Sequence, residues 1–469
     1  MGKIISSYVV PHPPIVVPEV GKGEERGASA TVSSFERAAG DIKKDNPTTI
    51  ILTTPHGPVF QDYIYMSLSD HLKGSLEKFG APQVELGFQN NRELADRIAA
   101  LAAEKGIPAG GLDDRTASKY RISKELDHGA LVPLYFINKT HPGFKLVHIS
   151  IAGLPFEELY KFGMCISEAV AASGEQAVFV ASGDLSHRLS AEAPYGYSAE
   201  GKQFDELLVD SIRTLDVERL LALDESFCES AGECGLRSFV IMLGALDGYE
   251  ARPEIYSYEG PFGVGYSVAR IEVGGEDPGR KVLEKLLDRN KRQMEELRKA
   301  EDPYVSLARK TLEAYVRENK VIPVPEGLPE EMLGEKAGAF VSIKKQGQLR
   351  GCIGTISPTR DNIAEEIIYN AISAGTRDPR FDPVEPEELH RLVYSVDVLG
   401  EPEPIGTMEE LDVIRYGVIV RAGRRSGLLL PNLEGVNTPE EQVNIALQKA
   451  GIGPAEKYSM ERFEVIRHR

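Results

Sequence analysis

Cysteine is scarce in this sequence, and its placement excludes two classes of protein. Only four cysteines occur in 469 residues: Cys165, Cys228, Cys234 and Cys352. None belongs to a CxxC pair, and four are too few for the disulfide framework of a small secreted domain. We therefore expect a protein of the reducing cytoplasm.

Long apolar runs and positive charge are also in short supply. The N-terminal apolar segment is interrupted by Ser6 and Ser7, so we expect no signal peptide, and no stretch approaches the roughly 20 apolar residues of a membrane span. The chain carries 54 Lys and Arg against 72 Asp and Glu, a net charge of −18. Such a surface repels nucleic acids and anionic lipids, so neither is an expected partner.

The order of strand and helix patterns predicts two domains and a linker. Over the first 275 residues, short β-rich runs alternate with helical patterns, which indicates a layered α/β domain. The turn-rich GGEDPG and a charged, leucine-spaced segment then predict a helical linker over 276–300. Residues 301–469 predict a smaller α+β domain, in which helix 438–450 begins with a capping box, Thr438 to Glu441.

Four of the nine histidines occur in comparable places. His12, His56 and His187 each follow an apolar strand pattern, and His128 opens an apolar segment in LDHGALVPLYF. If the strands share a largely parallel sheet, these side chains converge at its carboxyl edge, where ligands bind in such folds. One such histidine alone would be read as structural, but four together favour a shared site. The remaining histidines show no such pattern.

A third metal ligand is expected near the start of a buried helix. The stretch GECGLRSFVIMLGAL places Glu233 and Cys234 in a turn before that helix, where its dipole favours anionic groups. Two histidines and a carboxylate form the Fe(II) site of oxygen chemistry, whereas a thiolate shifts the preference to copper or zinc. In the alternative interpretation Glu233 only caps the helix and Cys234 only packs.

Five motifs in series, VPHPP, TPHGP, LDHGALVPL, SGDLSH and GECGLRSFVIMLGAL, resemble the Memo family over about residues 1–273. That family shares its fold with the LigB-type class III extradiol ring-cleavage dioxygenases. The resemblance implies that His12 and His56 bind the metal. It implies that His187 takes and returns a phenolic proton and that His128 faces substrate and oxygen. Asp184 is a candidate to orient His187, with a turn-forming role as the alternative.

The same resemblance leaves the third ligand and the activity open. Ring-cleaving relatives use a carboxylate there and Memo proteins a cysteine, and this sequence carries both, with Cys234 at the Memo position and Glu233 one residue earlier. The first function implied is a non-haem oxidoreductase that holds Fe(II), with copper or zinc as alternatives, and acts on a catecholic substrate. The second is a non-catalytic metal-binding or scaffold module, and the third is a zinc hydrolase.

The second domain has its own motif, QLRGCIGTISP, which contains Arg350 and Cys352. With Arg377 and Arg380 nearby in sequence, these residues suggest an anion-recognition patch. The alternative is a buried cysteine with internal Arg–Asp pairing. The intact LRGCIG resembles the AMMECR family, whose biochemical activity is not established. The fusion resembles the AmmeMemoRadiSam arrangement, which implies a radical SAM protein as partner.

Overall fold

The computed structural model describes residues 2–345, 347–433, 435–453 and 456–469, with only the backbone of Asp114. The chain separates into two compact units, Met1–Leu287 and Asp288–Arg469. A helix over Val282–Ala300 crosses this division. The boundaries expected from the sequence, 1–275, 276–300 and 301–469, stay a prediction.

The first unit alternates strands with helices along the chain. Its strands are β1 Lys3–Val10, β2 Thr49–Thr54, β3 Ile64–Tyr65, β4 His71–Leu76, β5 Ala81–Gln89, β6 Ala109–Gly110, β7 Lys145–Ser150, β8 Gln176–Ser182, β9 Tyr249–Glu259 and β10 Tyr266–Glu276. Its helices are α1 Pro18–Gly21, α2 Ser29–Asp45, α3 Arg92–Glu104, α4 Asp114–Lys119, α5 His128–Thr140, α6 Phe156–Ser173, α7 Ala199–Thr214, α8 Val217–Leu221, α9 Glu225–Ala231 and α10 Leu236–Gly244; α11 is Val282–Ala300.

The main sheet of this unit has the strand order β7-β2-β8-β1-β10-β9. The first four strands are parallel, and β10 and β9 close the sheet in antiparallel pairing. Alternate residues of the central strands enter two separate cores: Ile51 packs with helices α3, α6 and α10, whereas Ile50 and Leu52 pack with α2 and α5. The result is a three-layer α/β/α unit, which confirms the predicted fold class.

The second unit is built on one antiparallel sheet. Its strands are β11 Ala339–Lys345, β12 Gln348–Gly354, β13 Leu392–Leu399, β14 Glu403–Ile405, β15 Tyr416–Ala422, β16 Arg425–Leu429 and β17 Ser459–His468. Its helices are α12 Pro303–Glu318, α13 Glu330–Gly334, α14 Ile363–Thr376 and α15 Pro439–Ala450. The strand order is β12-β11-β13-β17-β15-β16, with β14 paired to β17.

The capping box expected before α15 is confirmed. The Thr438 hydroxyl accepts the Glu441 N–H, and the Glu441 carboxylate accepts the Thr438 N–H in return. Gly451 ends the helix in the left-handed conformation, with φ of 63°. With its helices and its antiparallel sheet, the second unit is an α+β fold, as the sequence predicted.

Candidate metal centre

The parallel half of the main sheet brings the predicted histidines to one edge. Val10, the last residue of β1, pairs with Ser182, the last residue of β8, and β2 runs parallel to β8 on its other side. His12 follows β1 by two residues and His56 follows β2 by two residues. Both side chains therefore start from the carboxyl ends of the two parallel strands that flank β8, as in other ligand sites of α/β sheets.

The side chains of His12, His56 and His128 form one cluster, the three-histidine cluster. One ring nitrogen of each lies within 4.8 Å of the corresponding atoms of the other two. The ring centroids of His12 and His56 are 4.7 Å apart, and those of His56 and His128 are 4.3 Å apart. The structure thus places His128, which the sequence assigned to substrate and oxygen, within reach of the same metal ion as the other two.

The protonation of His12 is fixed by its neighbours. The Ser182 hydroxyl donates to the carbonyl of Gly129 at 2.5 Å, so it accepts from Nδ1 of His12 at 3.0 Å. The proton on Nδ1 leaves the lone pair on Nε2, which is the atom that a metal can bind. A second partner that fixes the tautomer in this way is typical of metal-binding histidines.

Burial keeps the cluster neutral. It lowers the pKa of His12 well below the usual value, and the charge of His56 adds to this effect. Partial burial lowers the pKa of His56 to about 4, assisted by His128, and that of His128 to about 4, assisted by His12. Neutral imidazoles present the lone pairs that metal binding requires.

A partly buried carboxylate, Asp127, lies beside the cluster. Asp127 caps helix α5 and accepts hydrogen bonds from Thr54 Oγ1 at 2.6 Å and from His148 Nε2 at 3.2 Å. Burial acts to raise the pKa of Asp127, but the hydrogen bond and charge of His148 outweigh it and hold the pKa well below its usual range. Its negative charge offsets part of the charge of a divalent cation.

Cys234 lies next to His12, outside the three-histidine cluster. Its Sγ is 3.6 Å from Nε2 of His12, and it accepts the backbone N–H of Asp184 at 3.3 Å. An ideal Cβ on Gly183 would lie 2.1 Å from the Cα of Gly235, so only glycines allow this approach of the β8 loop to the turn before α10. Burial raises the pKa of the Cys234 thiol well above its usual value.

The Glu233 carboxylate makes a different contact from the Cys234 thiol. It accepts the N–H of Leu236 at 2.7 Å and so caps helix α10, whose own N-cap residue offers no side-chain acceptor. Burial raises the pKa of Glu233 to about 7. Glu233, which the sequence offered as a metal ligand, therefore makes the capping contact of the alternative interpretation and is not part of the three-histidine cluster.

His187 lies at the rim of the site with one nitrogen held by the backbone. Its Nδ1 is 2.6 Å from the carbonyl of Gly232, and because a carbonyl only accepts, Nδ1 carries the proton. Nε2 of the neutral ring is then the basic atom, 3.7 Å from Oδ2 of Asp184. The Gly232 carbonyl orients the ring more closely than Asp184, whose Oδ1 accepts the N–H of His12 at 2.8 Å.

Asp205 holds the loop that carries His187 through a hydrogen bond. This buried carboxylate on α7 accepts the N–H of Ser186 at 2.8 Å and the hydroxyl of Tyr258 at 2.8 Å. It also lines a groove of about 670 Å³ on the outer side of α7. Burial raises the pKa of Asp205 to about 7.

We expect Asp205→Asn to flatten the pH dependence of stability. Because the folded-state pKa lies above the ordinary value of an aspartate, the folded state holds this proton more tightly than the unfolded state does. The contribution of this proton to the free energy of unfolding is fully present below the unfolded-state pKa. It is lost as the pH rises through about 7, which lowers the free energy of unfolding by up to about 4 kcal/mol. Urea unfolding at acidic and alkaline pH measures this loss. Asp210→Asn, an exposed change on the same helix, should leave the wild-type slope, and an equal slope in Asp205→Asn would contradict the expectation.

A cavity of about 340 Å³ opens onto the three-histidine cluster. His56 and His128 lie in its wall, and Val59, Phe60 and Phe79 give it an apolar side. The Phe79 ring is tilted against His128, with 5.1 Å between centroids. The cavity is of the size and composition of a small-molecule site.

The LRGCIG segment of the second unit is held by internal contacts. Arg350 makes a bidentate ion pair with Glu388 and donates a hydrogen bond to the carbonyl of Asp382. Cys352 Sγ accepts from the Ser342 hydroxyl at 3.2 Å, and burial raises the pKa of its thiol. Arg380 is also paired, with Asp378, so the structure shows the internal Arg–Asp pairing that the sequence offered beside the anion-recognition patch.

We expect Arg350→Met to destabilise the second unit by about 2 kcal/mol, because it leaves the half-buried Glu388 without its main partner. Urea unfolding of the full chain measures the change. Arg377→Met, at an exposed arginine nearby in sequence, should cost less than about 0.5 kcal/mol. Equal stability of the two variants would show that the Arg350–Glu388 pair does not hold this loop.

Comparison with known families agrees with this geometry. The family described as the catalytic LigB subunit of aromatic ring-opening dioxygenase matches residues 6–269, which include the whole site. The chain belongs to the LigB family. The AMMECR1 family matches residues 305–468, so a LigB unit is fused to an AMMECR1 unit, as the motifs predicted, and this order is consistent with the AmmeMemoRadiSam arrangement.

Relatives of this LigB–AMMECR1 chain include one of full length. A protein of Clostridium acetobutylicum is 50% identical over 464 residues, 98% of either chain. A protein of Thermotoga maritima is 56% identical over 153 residues, 32% of this chain and 88% of its own. The crystal structure of an uncharacterised protein from Pyrococcus horikoshii is 36% identical, with a TM-score of 0.33, and the match covers 35% of this chain and 88% of that one.

Sequence reasoning missed part of the surroundings of this LigB site. His148 was not among the predicted site residues, yet it bonds to Asp127 beside the cluster. The signal for Asp127 was its position directly before His128, while nothing in the sequence marked Ser182 as the partner of His12. Within the residues that the structure describes, no helix has the length and apolar character to cross a membrane.

Proposed function

We propose that the LigB unit is a metal-dependent oxidoreductase that opens aromatic rings with O2, and that His12, His56 and His128 hold its metal. The observation that carries this proposal is the convergence of three neutral imidazoles within 4.8 Å at the carboxyl edge of the sheet. No hydrogen bond to the rings of His56 or His128 is found among the described residues, so both are free to bind an ion. Three imidazoles suit iron, copper or zinc.

Fe(II) is the metal that the proposal favours. When bound, it supplies the redox-active Lewis acid that ring opening by O2 requires. The charges near it support a divalent ion, since Asp127 and Asp184 both lie beside the cluster. The overall reaction adds both atoms of O2 to a catechol and breaks one carbon–carbon bond of the ring.

His187 is the proton-transfer residue of the proposal. Its Nδ1–H is held by Gly232, which leaves Nε2 to take a phenolic proton and later return it. Cavity size and lining support a small aromatic substrate, because Phe60, Phe79 and Val59 form an apolar wall beside two of the metal-binding rings.

The experiment is an oxygen-dependent assay of anaerobically purified protein. The chain is loaded with one equivalent of Fe(II), its iron is quantified, and it is then exposed to O2 with catechol or 3,4-dihydroxybenzoate. We expect one O2 consumed per ring-opened product, with zinc-loaded protein inactive as the control. Iron bound at full occupancy without any O2 consumption on either substrate would overturn the proposal.

A second candidate function rests on Cys234. Its sulfur lies 3.6 Å from Nε2 of His12, close enough to share a metal with that ring, as in Memo proteins. The unit would then hold copper or zinc without catalysis, as a metal-binding module that works with a radical SAM protein. A sulfur-to-metal charge-transfer band that vanishes in Cys234→Ser would favour this function over the first.

A further inference from the structure

Tyr195 is an exposed aromatic residue in direct contact with His187. Their ring centroids are 5.6 Å apart and the planes meet at 65°. Tyr195 is 64% exposed, and Tyr197, two residues later, is 65% exposed. Only Tyr195 makes a ring contact with His187 among the residues described, so the two tyrosines differ in position rather than in exposure.

The backbone on both sides of Tyr195 is held by hydrogen bonds. The N–H of Leu189 donates to the carbonyl of Gly263 at 3.0 Å, and the N–H of Ser198 donates to the carbonyl of Arg188 at 3.0 Å. Between them Gly196 adopts a φ of 71°, which glycine takes without strain, and closes a turn onto Ala193 at 3.0 Å. Tyr195 thus lies within a closed turn, Ala193 to Gly196, beside a histidine whose Nδ1 is bonded to the Gly232 carbonyl.

An aromatic ring left open to water against the imidazole of His187 offers a surface for a planar ligand. A substrate whose phenolic proton reaches His187 comes within range of the Tyr195 ring, and stacked or edge-on contacts between rings are favourable at such distances. No hydrogen bond to the Tyr195 hydroxyl is found in the described part of the chain. We therefore consider the aromatic ring of Tyr195, rather than its hydroxyl, as the group that contacts a ligand.

We propose that Tyr195 is a substrate-contacting residue, an aromatic wall beside His187 that favours planar aromatic ligands over other metal-binding ligands. This inference rests on the proposed function, because it assumes that the substrate reaches the metal of the three-histidine cluster. It assigns to the loop after β8 a part in substrate selection.

The test compares two metal-binding probes on the full, Fe(II)-loaded chain under anaerobic conditions. One is 4-nitrocatechol, which has a ring, and the other is acetohydroxamate, which has none. Dissociation constants are measured for the wild type, Tyr195→Ala, Tyr195→Phe and the matched control Tyr197→Ala. Iron content is measured in each protein, and His12→Ala reports whether binding needs the metal.

We expect Tyr195→Ala to weaken 4-nitrocatechol about tenfold and acetohydroxamate by less than about twofold, with Tyr195→Phe and Tyr197→Ala near the wild type. Equal affinity of Tyr195→Ala and the wild type for 4-nitrocatechol overturns the inference. So does an equal loss for both probes, because that pattern marks a structural role. Wild-type binding that persists in His12→Ala, or no binding at all, overturns the proposed function and this inference with it.

Discussion

Replacement of His12 by alanine should abolish stoichiometric metal binding, and His56→Ala should do the same. His12 is buried, and its hydrogen bond to Ser182 leaves the Nε2 lone pair for the metal, so the substitution removes one of the three proposed ligands. Loss of a partner that only orients a ligand already costs about 10- to 100-fold in metal affinity, and loss of the ligand itself should exceed about 100-fold. Elemental analysis after dialysis against a weak chelator measures the result.

The matched control for these two variants is His71→Ala. His71 is an exposed histidine at the start of β4 and has no place in the cluster. It should keep the metal content of the wild type. Wild-type metal content in both His12→Ala and His56→Ala would show that the assigned site is wrong.

Replacement of His187 by alanine should lower ring-opening turnover by about 100- to 10,000-fold, because the residue supplies the only proposed proton acceptor for the phenol. Metal content should not change, since Nδ1 of His187 is occupied by the Gly232 carbonyl and its ring is not in the cluster. Turnover and iron content are measured on the same preparation.

His141→Ala provides the comparison for His187. That ring bonds to the carbonyl of Pro47 and is not in the three-histidine cluster, so its removal should leave turnover unchanged. A His187→Ala protein that loses its metal would make His187 a ligand, and full turnover in that variant would remove it from the mechanism.

Most of the fold could be predicted from the sequence because it depends on short-range patterns. The apolar runs KIISSYVV (3–10) and QAVFVAS (176–182) are typical of strands and RELADRIAALAAE (92–104) of a helix, and the structure has these elements with the same bounds. Thr438 and Gly451 marked the ends of α15 for the same reason, since capping involves only residues next to the helix end.

The site was predicted less completely because it depends on long-range contacts. The position of His12 and His56 after parallel strands was enough to bring them together. The pattern could not show that Glu233 would turn to the N–H of Leu236 while Cys234 would turn to His12, because that choice depends on the approach of Gly183 to Gly235. The bond between His148 and Asp127 joins residues 21 positions apart and left no local signal.

The most direct measurement of the central claim is X-ray absorption at the iron edge of the anaerobic, Fe(II)-loaded chain. The three-histidine cluster predicts a nearest shell of nitrogen and oxygen atoms with the multiple scattering of imidazole rings, unchanged in Cys234→Ser and Glu233→Gln and lost in His12→Ala. A sulfur neighbour at about 2.3 Å, the length of a metal–thiolate bond, would contradict it if that shell disappeared in Cys234→Ser.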